Sequence, residues 1–122
     1  MYNVSLIWVE AQFVSMAQVH NKLVRDKIPD VIRAKGQVPV MRRIEGAEYR
    51  VALQKKLREE VDEVMVAATP EEILAELADC LEVIEALSKD LNYTMDQLHL
   101  QKALKKQDRG GFDQKIFLER VD

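Results

Sequence analysis

Cysteine occurs once in this chain, at Cys80, so no internal disulfide can staple it. Cys80 sits in an apolar run with helical spacing and reads as a small buried hydrophobe in a reducing compartment, not as a catalytic thiol. Four glycines and three prolines among 122 residues are too few for a fibrous or linker-like polymer and fit a globular helical protein. A basic excess is missing too. At a net charge of −3 the chain has no electrostatic case for non-specific binding to long nucleic acid, which requires many cations to displace counterions. No apolar run is long enough to span a bilayer. The first nineteen residues lack a basic start and are interrupted by Glu10 and Gln12, so they fit neither a signal peptide nor a membrane helix. A cytoplasmic protein is expected. There is no internal repeat and no Gly-, Ser- or Pro-rich linker.

What is present is 48% apolar and 32% charged residues, enough for one domain that buries about two thirds of its unfolded surface. Strong patterning begins after Met16, and residues 1–19 are expected to be an extension outside the core, with the functional domain at 20–122. In NKLVRDKIPDVIRAKG, Asp26 can cap a short helix, Pro29 fits its first turn and Gly36 offers a left-handed stop. The alternation of Val38, Val40, Arg42 and Ile44 suggests an edge strand over about 38–44.

A second helix over about 47–68 carries Tyr49, Leu53, Leu57, Val61, Val64 and Ala68 as one apolar stripe. Thr69, Pro70 and Glu72 spell a capping box for a third helix reaching about Lys89. Thr94 and Gln97 spell another for a fourth, which ends near Asp108 before Gly110 and Gly111. The final FDQKIFLERV reads as a strand, and pairing of 115–121 with 38–44 would make a small β-ribbon beside an all-α antiparallel bundle.

The informative feature is EEVDE at 59–63 followed by ELAD at 76–79. Glu60 with Glu63, and Glu76 with Asp79, are i, i+3 pairs, and each lies side by side on its helix. At about 100° per residue, Glu60 falls within about 50° of the centre of the apolar stripe, Glu63 at its edge, and Glu59 and Asp62 roughly 150° away. Val83 lies angularly between Glu76 and Asp79, so these acids too are set among hydrophobes. A solvated charged face would not be arranged in this way.

No Lys or Arg occurs from Val61 to Ser88, and converging carboxylates need positive charge, so a metal ion is the expected partner. All-oxygen donors suit Mg²⁺, or Mn²⁺, better than Ca²⁺, and zinc lacks its usual ligands. A di-iron bundle would require Glu-x-x-His pairs, which neither His20 nor His99 supplies; His99 reads as an ordinary surface residue.

The EExxE and ExxD motifs, with NKLVRDKIP at 21–29 and RGGF at 109–112 before KIFLE, resemble the MazG-like all-α nucleoside triphosphate pyrophosphohydrolases. The nearest branch is the one termed phosphoribosyl-ATP pyrophosphohydrolase-like, and the resemblance covers about residues 20–121. It implies Mg²⁺-dependent cleavage between the α and β phosphates of a nucleotide, a helical bundle, and a homodimer or homotetramer. By position it makes Glu60, Glu63, Glu76 and Asp79 metal ligands and Glu59 an outer-shell acid or water-orienting base.

Lys22, Arg25, Lys105 and Arg109 are candidates to meet substrate phosphate, although basic residues near a helix C-terminus are favoured by the dipole alone. Gly110 and Gly111 read as the helix stop. Two alternatives stand beside this one: phosphoribosyl-ATP hydrolysis in histidine synthesis, and a non-enzymatic helical module that binds a divalent ion or a partner. Trp8 falls in the extension and receives no role.

Overall fold

A computed structural model describes residues 6–9, 12–15 and 17–122, with side chains from Ala17 onward. The fold is all-α: α1 Ile28–Ala34, α2 Gly46–Val66, α3 Pro70–Asp90 and α4 Met95–Arg109. The only sheet among the described residues is a two-stranded antiparallel hairpin, β1 Leu6–Val9 with β2 Gln12–Ser15, in register Trp8 opposite Phe13. It falls within the expected extension 1–19, of which residues 1–5, 10–11 and 16 lie outside the described set.

The backbone divides into two compact units, residues 1–56 and 57–122, with the boundary inside α2. In the first unit, α1 begins differently from the expectation. Its N-cap is Lys27, whose side chain makes no capping bond, and the Ile28 amide donates to the Arg25 carbonyl instead of finding Asp26. With Pro29 in its first turn, the helix needs one amide partner fewer, so the missing cap costs less. Gly36 does supply the left-handed stop, at φ 76°. Arg42 forms a two-pronged ion pair with Glu48 in the first turn of α2, where an acid also complements the helix dipole. That guanidinium holds the Glu48 carboxyl below the usual range. Leu53, 2% exposed, is the most buried apolar side chain described.

In the second unit α2 and α3 are joined by only Ala67, Ala68 and Thr69. Thr69 caps α3 by accepting from the Glu72 amide at 3.2 Å, but Glu72 reaches back to the Ala68 amide and not to Thr69, leaving the expected box offset by one residue. The Thr94 box is complete, with Gln97 accepting from the Thr94 amide at 2.8 Å and donating its own amide to Thr94 Oγ1 at 3.1 Å. The turn before it is closed by Tyr93 N–H on the Ser88 carbonyl, with Asn92 left-handed at φ 63°.

The ribbon expected between 38–44 and 115–121 is not formed: neither stretch is a strand. Strand propensity reports fit to a pleated, half-buried surface, and without a neighbour to pack on it decides nothing. Thr94→Ala should lower unfolding stability by about 1 kcal/mol, through loss of a complete cap. Urea denaturation followed by circular dichroism checks this, and an unchanged midpoint would contradict the cap's role.

Candidate metal centre

The α2 burial pattern puts an acid where an apolar residue belongs. Leu53 and Glu60, seven residues and two turns apart, are the buried positions of the helix, whereas Val61 is exposed and Leu57 and Val64 are half-buried. The buried face is thus turned onto Glu60, about 50° from the centre that the apolar spacing alone suggests. Glu60 keeps only 9% of its surface exposed. On α3 the buried residues are Cys80, Val83 and Ser88, with Glu76 and Asp79 half-buried on either side of Val83.

The α2–α3 reversal brings three of the four expected ligands together. One carboxylate oxygen from each of Glu60, Glu76 and Asp79 lies within 4.8 Å of the others. Glu60 stands six residues before the end of α2 and Glu76 six after the start of α3, as an antiparallel hairpin requires. Glu63 is exposed and outside this triad, although its charge acts on Glu76. At the edge of the stripe, it is carried away from the axis on which Glu60 points inward.

The electrostatics follow from the crowding. The Glu76 carboxyl is raised above its ordinary value of 4.5, first by loss of solvent and then by the charges of Asp79, Glu60 and Glu63. A hydrogen bond with the Glu60 carboxyl adds to the shift. Cys80 is pushed up by burial and then by the charges of Glu60, Asp79 and Glu76, which disfavours the thiolate.

The donor set fits a hard divalent ion. An octahedral Mg²⁺ with oxygens at about 2.1 Å sets its ligands roughly 3–4 Å apart, and the triad's oxygens lie within 4.8 Å of one another. Three carboxylates also leave positions for water and phosphate oxygens. No histidine belongs to the cluster, so its donors are all carboxylate oxygens.

The other expected site residues are placed as follows. Glu59 is half-buried next to Glu60 on α2. Lys105 and Arg109 are exposed on the last turns of α4, where Arg109 approaches Asp108 at 3.7 Å. Lys22 and Arg25 precede α1 in the other unit. Gly110 ends α4 at φ 83°, its amide bonded to the Lys106 carbonyl, which is the stop the sequence suggested. His99 is exposed on α4.

None of the described helices is long and apolar enough to cross a membrane. No protein-family model matches the chain. No solved structure matches it either. A stretch of 48 residues is 52% identical to an uncharacterized protein of Mycolicibacterium smegmatis, covering 39% of this chain and 49% of that protein. The chain therefore matches about half the length of this relative.

Because the Glu76 value is raised in the fold, its contribution to stability is present below 4.5 and is lost as pH rises through the raised value. Glu76→Gln should accordingly raise the melting temperature of metal-free protein at neutral pH. Mg²⁺ should raise that of the wild type, less so as pH falls and protons compete, and less in the variant. Thermal melts with EDTA or Mg²⁺ at two pH values measure both effects. A variant less stable than wild type in EDTA would contradict the repulsion.

Proposed function

We propose that this chain is a cytoplasmic, Mg²⁺-dependent pyrophosphohydrolase of the MazG-like kind that splits a nucleoside triphosphate, or a related nucleotide, between its α and β phosphates. Removal of surplus or non-standard nucleotides is the role that fits such an activity. The observation that carries the reading is the convergence of Glu60, Glu76 and Asp79 on one point from two helices, with one of the three buried.

Burying carboxylates costs free energy that folding alone does not recover. A site that binds a divalent ion offsets that cost and gives the arrangement a use. A bound Mg²⁺ would supply phosphate-charge neutralisation and a water of lowered pKa. Glu60, Glu76 and Asp79 would hold it, with Glu63 completing the acidic rim.

Glu59, adjacent in sequence, would take the proton from the attacking water. The oxygen of that water would bond to the α phosphorus as the bond to the bridging oxygen breaks and pyrophosphate leaves with the electron pair. Lys22, Arg25, Lys105 and Arg109 remain the cations proposed for the substrate's phosphate charge. Self-assembly belongs to the same proposal and is supported by the exposed stripe Leu74, Leu77 and Leu81 on α3, an apolar face that a monomer would leave wet.

A panel of nucleotides with Mg²⁺, scored separately for pyrophosphate and orthophosphate, tests the reaction. Pyrophosphate with the monophosphate is expected, and orthophosphate as sole product would refute the cleavage position. Glu60→Gln and Asp79→Asn should each lower turnover by more than about a hundredfold while helix content is kept. Full activity in either would remove these residues from the site.

A further inference from the structure

The last two turns of α4 and the segment after it set cations next to bare apolar side chains, within one compact unit. Lys102, Lys105, Lys106 and Arg109 are spaced i, i+3, i+4 and i+7, so they share one face of α4, and all four are exposed. Phe112 then opens a tight turn, closed by the Lys115 amide donating to its carbonyl at 3.0 Å. Phe112 is 96% exposed and Phe117 87%, and Ile116, Leu118 and Val121 beside them are bare as well. A chain spans at most about 3.6 Å per residue, so Phe112 stands no more than about 11 Å from Arg109. Lys106 also reaches towards this segment, its Cε lying 3.4 Å from where a Cβ on Gly111 would be.

We propose that residues 102–122 dock on the surface of an anionic lipid bilayer, with the α4 cations on headgroup phosphates and Phe112, Ile116, Phe117, Leu118 and Val121 in the interfacial layer. Charge complementarity selects this occupant. The segment carries six Lys and Arg against four Asp and Glu, on a chain whose net charge is −3. Two of those acids are already held, Asp108 against Arg109 at 3.7 Å and Asp122 against Arg120 at 3.0 Å. Asp113 and Glu119 remain against Lys102, Lys105, Lys106 and Lys115. Clustered cations beside apolar side chains draw a protein to anionic headgroups, and the apolar groups then gain by leaving water. A nucleic acid would engage the cations but offer the aliphatic Ile116, Leu118 and Val121 nothing to enter. The attachment is peripheral, since no described helix is long and apolar enough to cross a membrane.

Docking on lipid is independent of the proposed hydrolysis and self-assembly, and its test leaves alone Lys105 and Arg109, which are proposed to meet substrate. The full chain is sedimented with vesicles of equal parts phosphatidylglycerol and phosphatidylcholine, and with vesicles of phosphatidylcholine alone. Wild type should bind the anionic vesicles about tenfold more tightly or better, and high salt should weaken that binding. Phe112→Ser combined with Phe117→Ser, and separately Lys102→Gln combined with Lys106→Gln, should each weaken it by about tenfold or more. Both double variants should keep the helical circular dichroism of wild type. Wild type that stays in solution, equal binding to the two kinds of vesicle, or binding that the paired Phe changes leave intact overturns the proposal. So does light scattering in which those Phe changes split a lipid-free oligomer, because a second copy would then be what covers the segment.

Discussion

The inward-facing carboxylate of Glu60 is the constraint on which the second unit depends. It occupies the position on α2 that an aliphatic residue would fill, and its neighbours across the α2–α3 reversal are two further acids, Glu76 and Asp79. The buried apolar groups of that unit, Cys80 and Val83, lie on the same face of α3 as those acids. Core and candidate site are therefore one place. The spacing of the three oxygens is set by how α2 and α3 run beside one another at this point.

The raised Glu76 value is the energetic signature of that constraint. Partial burial, three neighbouring acids and a hydrogen bond with Glu60 all disfavour its anion. A metal bound there would compete with protons for one set of oxygens, which would link stability, pH and metal occupancy in a single equilibrium. The Cys80 thiol is raised by burial first and by Glu60, Asp79 and Glu76 second.

The sequence was most readable where a local rule decides the outcome. The Thr94 box, the Gly36 and Gly110 stops and the lengths of α2 and α3 follow from capping and periodicity, and Glu60 could be placed inside by its angle on the wheel. Non-local matters were harder to read. Val38 to Ile44 and Lys115 to Val121 have strand-like composition, but pairing depends on a neighbour that no local pattern specifies. Asp26 has the chemistry of a cap, yet the helix starts one residue later than its reach requires. Glu63 stands in a perfect i, i+3 relation to Glu60 and still lies outside the triad, because spacing fixes which residues share a face but not how far that face turns inward. The roles of Lys22, Arg25, Lys105 and Arg109 rest on the resemblance to MazG-like enzymes and on their charge.

The account's central claim is that Glu60, Glu76 and Asp79 together hold a divalent ion. The most direct measurement is titration of the metal-free protein with Mn²⁺, following free Mn²⁺ by its electron paramagnetic resonance signal, in the wild type and in Asp79→Asn. Saturable binding at one or two ions per chain, displaced by Mg²⁺ and lost in the variant, is the predicted result. Binding that is equal in the two proteins, or no stronger than that of scattered surface carboxylates, would contradict it.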